Sequence, residues 1–219
     1  YMAVLILAGR QLLRLFLEER QMSAAIPFLQ RTSMCLVLGS ALWMVLVCLV
    51  SLTGHGGLML WRGLAAVMAL AAVVLEILWG HGNNQVSPGA WLNGVKESAD
   101  GGGRRSKAQA ALIAFIITMV LIQAGRMNIE LDYDSLHYGL RSAYVLDNGK
   151  GIYENLGMIN LVYTYSKGLE VLVLPLSGTP TYGFVLAFSL WCTVGILLLA
   201  ADIVGRYCGR EKGIWAAAV

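Results

Sequence analysis

The sequence predicts an all-α, polytopic transmembrane helical protein, and three observations lead to this fold class. Of the 219 residues, 58% are hydrophobic, whereas soluble domains carry about 45–50% apolar residues. Only 13% of the residues are charged, about half the share that is usual in soluble domains. The apolar residues are also gathered into long runs that polar stretches separate, which is the pattern of membrane-spanning helices.

Four runs come close to the 20 or so apolar residues that a membrane helix needs. They cover residues 33–53, 58–79, 108–124 and 182–204, and a fifth span is expected to begin near Gly213. The chain opens on Tyr1 and closes on the apolar string "GIWAAAV". We therefore expect it to be a fragment of a longer membrane protein.

The positive charges of the short loops predict how these spans are oriented. They fall into three clusters that alternate with the spans so that all three lie on one side: Arg10, Arg14, Arg20 and Arg31; Lys96, Arg104, Arg105 and Lys107; Arg206, Arg210 and Lys212. Because basic residues of short loops face the cytoplasm, this side is predicted to be cytoplasmic and the loop 125–181 non-cytoplasmic. Arg62 is an exception near the outer end of the second span, where snorkelling would accommodate it. This charge pattern indicates membrane orientation and no nucleic-acid partner.

These boundaries divide the chain into four parts. Residues 1–32 are predicted to hold the end of a truncated span and an amphipathic segment on the cytoplasmic side. Residues 33–80 form a transmembrane helix pair, and residues 81–107, rich in Gly, Asn and Ser, form a flexible cytoplasmic linker. Residues 108–219 contain the remaining spans and the long loop. The four cysteines form no CxxC pair, so neither a zinc site nor a disulfide framework is indicated.

The loop 125–181 contains the string "ELDYDSLHYGL" at its start. Asp134 is a good helix N-cap, apolar residues then recur at helical spacing, and Asn148-Gly149 is a good stop. The pattern predicts an amphipathic helix over residues 135–147 at the membrane surface. His137, Tyr138 and Arg141 then share one helical face with Asp134.

A second patterned piece follows in the same loop, "YSKGLEVLVLPLSG". Lys167 and Glu170 interrupt a stretch that is otherwise apolar up to Pro175. This arrangement favours a short helix or a re-entrant piece that packs against the membrane.

The string "YDSLHYGLRSAYVL" resembles the first luminal-loop motif of the protein O-mannosyltransferases. The matching residues are Asp134, His137, Tyr138, Gly139, Tyr144 and Val145. The layout of the following loop helix, span and basic turn is similar to the wider GT-C class of polytopic glycosyltransferases, which includes the aminoarabinose transferases. The resemblance covers roughly residues 109–219.

This resemblance implies transfer of a sugar from a polyprenyl-phosphate donor to an acceptor at the non-cytoplasmic face of an envelope or equivalent membrane. Asp134 would be the general base that accepts the proton of the attacking group. Positive charge is needed at the phosphate leaving group, and Arg126, Arg141 and Lys167 are the local cations. Asp132, His137 and Tyr138 are the further candidates for binding the substrate. Asp132 and Asp134 would be the ligands if a divalent cation takes part.

Other readings of the same residues stay open. Asp134 is also explained as an N-cap alone, and Arg141 as a side chain that contacts lipid headgroups. From another functional class, a transporter or flippase of a lipid-linked saccharide would need ionisable residues that face one another within the spans. Glu76 is the main candidate, and its position near the cytoplasmic end favours an ordinary hydrated carboxylate. A non-catalytic membrane scaffold is the third reading.

Overall fold

The computed structural model describes six stretches of the chain, and every regular element within them is helical, in agreement with the predicted all-α fold. The described residues are 1–17, 26–80, 107–126, 149–153, 168–177 and 183–218.

Seven α-helices and one 3-10 turn make up these stretches. The helices are α1 (Met2–Phe16), α2 (Phe28–Ser51), α3 (Leu58–Gly80), α4 (Lys107–Arg126), α5 (Gly168–Val173), α6 (Gly183–Cys208) and α7 (Arg210–Ala216), with the 3-10 turn Leu174–Leu176 directly after α5. The four helices α2, α3, α4 and α6 are long and apolar enough to cross a membrane, and they coincide with the four predicted runs. The chain is therefore a polytopic helical membrane protein.

Helices α2 and α3 are joined by a short turn at residues 52–57. We call this pair the hairpin, although the two helices pack on α1 more than on each other. Gly54 and Gly57 adopt φ values of 71° and 103°, a left-handed backbone that favours glycine. The backbone N–H of Gly54 donates to the Ser51 carbonyl at 3.0 Å, so the turn closes directly onto the last residue of α2. We call this end of the helix pair the turn end, and the opposite end the open end. The charge pattern predicts that the turn end is non-cytoplasmic.

Helix α1 packs against both helices of this hairpin. Its contact with α2 is backbone against backbone, because a Cβ atom added at Gly9 would collide with the carbonyl of Cys35, and one added at Gly39 with the carbonyl of Leu5. Small residues permit such close approach of membrane helices. The two glycines therefore fix how α1 lies on α2.

The main buried core extends from the turn end to beyond the middle of the hairpin. Trp43 of α2 and Trp61 of α3 are fully buried there. Val47 of α2 and Met68 and Ala72 of α3 belong to the same core. Its remaining side chains come from α1, from α5 with its 3-10 turn, and from the start of α6: Leu5, Ala8, Val171, Val173, Leu174, Val185 and Phe188. The short α5 segment is thus a core element, although it lies within the long predicted loop.

Helices α4, α6 and α7 form a looser group. Helix α7 folds back on α6 after Gly209, whose φ is 97°, and Gly213 packs against the backbone of Ala201 and Gly205. The sequence predicts the start of a fifth span near Gly213, and the structure has the short helix α7 at this point. Helix α4 has no buried residue along its length.

Candidate functional site

The predicted site residues lie outside the described residues. These are Asp132, Asp134, His137, Tyr138, Arg141 and Lys167, so their assigned roles stay predictions. The structure does describe the chain on either side of them: Arg126 at the end of α4, residues 149–153 after the motif, and the segment 168–177 directly after Lys167.

Residues 149–153, which we call the loop anchor, bind to the turn end of the helix hairpin. The backbone N–H of Gly56 donates to the Gly149 carbonyl at 3.0 Å. The backbone N–H of Ile152 donates to the Ser51 hydroxyl at 3.2 Å, and Ser51 is buried. The chain that leaves the acidic motif is therefore fixed to the turn between α2 and α3.

Glycine is required in the loop anchor for two reasons. Gly149 and Gly151 both have left-handed backbones, with φ values of 88° and 93°. A Cβ atom added at Gly151 would lie 3.0 Å from the carbonyl oxygen of His55 and from the Cβ atom of Ser51. Gly149 is the predicted stop of the helix over residues 135–147, and a left-handed glycine is typical of such a stop. The helix itself lies outside the described residues.

Two exposed titratable side chains lie at this end of the hairpin, His55 in the turn and Tyr153 in the loop anchor itself, and neither is predicted from the sequence as a site residue. The Nδ1 atom of His55 lies 2.9 Å from the Thr53 carbonyl oxygen. A hydrogen bond with the Cys48 thiol raises the pKa of the Tyr153 phenol. A histidine within a glycine-rich turn gives no sequence signal that separates a site residue from an ordinary surface residue.

Residues 168–177, which we call the hook, lie against the hairpin at membrane depth. The indole Nε1–H of Trp43 donates to the Val171 carbonyl at 2.9 Å. The Tyr1 hydroxyl donates to the Leu172 carbonyl at 2.7 Å. Trp43 lies about 12 Å from the end of α2 at Ser51, at 1.5 Å per residue. The structure therefore has a short helix in the apolar stretch around Glu170, where the sequence favours a short helix or a re-entrant piece.

Arg62 of α3 binds the carboxyl end of the hook. Its Nε atom donates to the Pro175 carbonyl at 3.2 Å, and its Nη2 atom approaches the Ser177 carbonyl at 3.4 Å. The Ser177 hydroxyl donates to the Leu174 carbonyl at 2.7 Å. Carbonyl groups at the end of a helix lack helical partners and carry partial negative charge. Snorkelling was the expectation for Arg62, and the structure adds a specific protein partner for its guanidinium.

These contacts explain how the hook, a short helix followed by a 3-10 turn, can lie beside membrane-spanning helices. Polar backbone groups in the apolar part of a membrane are stable only when they are hydrogen-bonded within the protein or line a cavity. Side chains of Tyr1, Trp43, Arg62 and Ser177 bind successive carbonyl groups of the hook. The hook is therefore held by hydrogen bonds from Tyr1, Trp43 and Arg62, which are far away in the sequence, and by one hydrogen bond within itself from Ser177.

A charged cluster lies at the open end, where α1 meets α3. Glu76 accepts hydrogen bonds from Arg14 at 2.7 and 3.1 Å and from Gln11 at 2.8 Å. It also pairs with Arg10 at 3.2 Å. The Arg14 side chain is only 8% exposed, and that of Glu76 is 31% exposed. We call these four residues the Glu76 cluster.

The Glu76 cluster changes the interpretation of Glu76 as an ordinary hydrated carboxylate. Its carboxylate faces two guanidinium groups from another helix, and one of these is buried. A sequence signal was available, because "GRQLLR" places Arg10, Gln11 and Arg14 on one face of an otherwise apolar helix. What the sequence could not supply is that this face of α1 meets α3.

No cluster of three or more metal-binding side chains occurs among the residues that the structure describes. The two carboxylates that would bind a divalent cation, Asp132 and Asp134, are outside this set, so the cation site stays a prediction.

No protein-family model matches the chain, and no curated protein or solved structure matches it. Function is therefore inferred from the residues and contacts of this chain.

Proposed function

We propose that the protein is a GT-C-type membrane glycosyltransferase. It moves a sugar from a polyprenyl-phosphate donor to an acceptor at the non-cytoplasmic face, and Asp134 is the general base. The single observation that carries this proposal is the binding of the loop anchor to the turn end, through Gly56 and Ser51. The anchor begins directly after the predicted motif helix, so the motif leads into the membrane boundary that a lipid-linked donor must approach.

The chemistry needs a carboxylate, a cation and access to lipid in one place. The donor's polyprenyl chain stays in the bilayer, and its sugar phosphate therefore lies at the membrane surface. Asp134 accepts the proton of the acceptor hydroxyl or amine as that group attacks the anomeric carbon. The bond to the phosphate breaks, and Arg126, Arg141 and Lys167 stabilise the negative charge of the leaving group. Asp132, His137 and Tyr138 contact the substrate, and the resemblance implies inversion at the anomeric carbon.

The hook supports the same assignment from the other side of the loop. It begins at Gly168, the residue after Lys167, and its carbonyl groups are bound by Trp43 and Arg62. The hairpin thus binds both the loop anchor, which follows the candidate base, and the hook, which follows Lys167.

Replacing Asp134 by Asn tests this proposal. The assay offers purified full-length protein a panel of radiolabelled polyprenyl-phosphate sugars and a membrane extract as the source of acceptor. A general base contributes about 10²- to 10⁴-fold to the rate, so transfer should fall by at least about 10²-fold. Asp202→Asn is the matched control, because Asp202 pairs with Arg206 on α6, away from the loop. Normal turnover by Asp134→Asn would show that Asp134 is not the base.

The Glu76 cluster favours a second candidate function, transport or flipping of a lipid-linked saccharide. This reading requires ionisable residues that face one another between membrane helices, and Glu76 faces Arg10 and Arg14 in this way. In sealed vesicles, Glu76→Gln should then stop uptake of the labelled saccharide, while Asp134→Asn should leave uptake unchanged and no new glycosidic product should form. A non-catalytic scaffold would show neither transfer nor uptake.

A further inference from the structure

We infer that the open end of the hairpin is a binding site for the phosphate group of an anionic phospholipid, held between Arg10 of α1 and Arg31 of α2. Neither arginine belongs to the proposed transferase site, and both lie in helices that the structure describes. The inference is therefore independent of the proposed function, and either of the two can fail without the other.

The contact between α1 and α2 brings the two arginines close to each other. Gly9 packs against the carbonyl group of Cys35. Arg10 is the residue after Gly9, and Arg31 comes four residues, about one helical turn, before Cys35. The positive charges of Arg10 and Arg31 accordingly both act on the Cys35 thiol. The two guanidinium groups thus come from different helices and meet at one end of the helix contact.

Positive charge exceeds negative charge at the open end, counted over the described residues of α1, α2 and α3. Arg14 binds both oxygen atoms of the Glu76 carboxylate, at 2.7 and 3.1 Å, and such a bidentate pair matches one charge with one. Arg10 adds a contact of 3.2 Å to the same carboxylate. No described residue forms a hydrogen bond or ion pair with the Arg31 side chain. Three guanidinium groups therefore share a single carboxylate, and the excess charge suits an anion.

The position of Arg31 along its helix favours a lipid over a soluble anion. Arg31 lies one turn inside the start of α2, a helix that is long and apolar enough to cross a membrane. Phe28 and Met34, three residues on either side of it, share its helical face, and they are 46% and 41% exposed. A guanidinium flanked by exposed apolar side chains fits a phosphate whose acyl chains remain in the bilayer.

Arginine is also the residue type that this ligand requires. A planar guanidinium binds phosphate through two parallel N–H groups, whereas a lysine ammonium acts as a point charge. The basic clusters of the short loops predict that the open end is cytoplasmic. Anionic lipids give the cytoplasmic leaflet its negative surface potential, and basic pockets between membrane helices bind their headgroups. The Arg10 side chain is 36% exposed, so it can reach such a headgroup, while the buried Arg14 holds Glu76.

The experiment measures the affinity of the purified full chain for phosphatidylglycerol in detergent micelles, by native mass spectrometry. Phosphatidylcholine with the same acyl chains is the competitor, so a difference between the two lipids reports the headgroup. Arg10→Gln and Arg31→Gln should each weaken phosphatidylglycerol binding about fivefold, the scale for one arginine at an anionic lipid surface. Binding of phosphatidylcholine should not change. Arg31→Lys keeps the charge but loses the fork, so its affinity should lie between those of the native protein and Arg31→Gln.

A gain of binding separates the site from a loss of folded protein. Glu76→Gln removes the carboxylate that competes with the phosphate, so it should strengthen phosphatidylglycerol binding about fivefold, which unfolding cannot do. Arg206→Gln is the matched control, because Arg206 is an exposed arginine that pairs with Asp202 on α6 at 2.9 Å. It should leave the affinity for phosphatidylglycerol unchanged. Inorganic phosphate at the same concentration as the lipid should displace little of it, because it lacks the acyl chains.

Three results would contradict the inference. Native affinity for phosphatidylglycerol in both Arg10→Gln and Arg31→Gln would show that the open end does not bind the headgroup. An equal loss in Arg206→Gln would show that positive charge attracts the lipid diffusely, without a site. Displacement of the lipid by an equal concentration of inorganic phosphate would identify a soluble phosphate as the ligand. Sugar transfer by Asp134→Asn is measured separately, and its outcome leaves this lipid site unaffected.

Discussion

One group of elements consists of α1, α2, α3 and the hook, and the other consists of α4, α6 and α7. The two groups contain similar apolar residues but bury them to different extents. Helix α2 has 24 residues and helix α4 has 20, and both qualify as membrane spans by length and composition. Yet α2 contributes the fully buried Trp43 and Val47 to the core, while α4 has no buried residue. Apolar composition alone therefore does not determine which helix packs within the protein.

Helix α2 differs from α4 in its closely packed small residue and in its side-chain hydrogen-bond donor. Lipid tails are as apolar as leucine, so association of membrane helices depends on close packing and on hydrogen bonds between helices. Helix α2 has Gly39 against α1 and the Trp43 indole bound to the hook. The one glycine of α4, Gly125, has open space around it. We expect substitutions at the packed positions of α1, α2 and α3 to destabilise the fold, and substitutions on α4 and at the exposed positions of α6 to be tolerated.

The largest effect is expected for Trp43→Ala. Trp43 is fully buried, and its ring packs edge-on against Tyr1 with ring centroids 5.7 Å apart. Truncating a buried tryptophan costs about 3–5 kcal/mol, and this variant also leaves the Val171 carbonyl without its donor. The free energy of unfolding in mixed micelles should fall by about this amount. Trp191→Ala on α6, where the ring is 63% exposed, is the control and should change the free energy of unfolding by less than about 0.5 kcal/mol. Equal losses in the two variants would contradict the comparison.

The next largest loss of stability is expected where the backbones of α1 and α2 are in contact. A methyl group at Gly39 meets the Leu5 carbonyl, and one at Gly9 meets the Cys35 carbonyl. Backbone atoms cannot move aside as a flexible side chain would, so Gly39→Ala should destabilise the protein by about 1–3 kcal/mol. Gly63→Ala in α3 and Gly195→Ala in α6 have open space around the new methyl group. These two controls should raise thermal stability slightly, because alanine favours a helix over glycine by about 1 kcal/mol.

A smaller loss of stability, caused by the loss of charge pairs and not by the loss of packing, is expected in the Glu76 cluster. Glu76→Gln leaves the buried Arg14 without its carboxylate, and the loss should be about 2 kcal/mol, below the range for fully buried pairs. Arg10→Gln should cost less than about 1 kcal/mol, since the Arg10 side chain is 36% exposed.

Salt and a double-mutant cycle separate the two arginines of this cluster. The Arg10 contribution should shrink as the salt concentration rises, because salt screens exposed charges, while the Arg14 contribution should persist. A cycle of Arg14→Gln with Glu76→Gln should give a coupling energy of at least about 0.5 kcal/mol. Zero coupling would show that the short Arg14–Glu76 contact contributes nothing to stability.

The sequence predicts the spans well because their signal is local. The run over residues 182–204 needs only its own apolar length to be recognised, and the structure has α6 there, with ends shifted by one residue at the start and four at the end. The same holds for the hook, where an apolar stretch broken by Glu170 and closed by Pro175 indicates a short buried piece. Such signals do not depend on which helix is the neighbour.

The partners of charged residues could not be predicted in this way. Whether Arg62 snorkels or binds the hook depends on a contact with Pro175 and Ser177, 113 and 115 residues further along the chain. Whether Glu76 is hydrated or paired depends equally on α1 lying against α3. Gly9 and Gly39 let α1 lie closely on α2, but a glycine in an apolar helix does not reveal its partner. The motif around Asp134 was recognised only by resemblance, and its geometry stays a prediction.

The smallest change in the free energy of unfolding is expected for a substitution on α4. It tests most directly whether the two helix groups differ in burial. Leu121 on α4 is 64% exposed, whereas Leu5 on α1 is fully buried. Leu5→Ala should cost about 2–5 kcal/mol through loss of packing and the cavity left behind. Leu121→Ala exchanges one apolar side chain for another where lipid fills the space, so the free energy of unfolding should change by less than about 0.5 kcal/mol. A loss of more than about 1 kcal/mol, the usual size for a packed position, would mean that this face of α4 is covered by protein. The two helix groups would then differ in which partners cover them and not in whether their residues are buried.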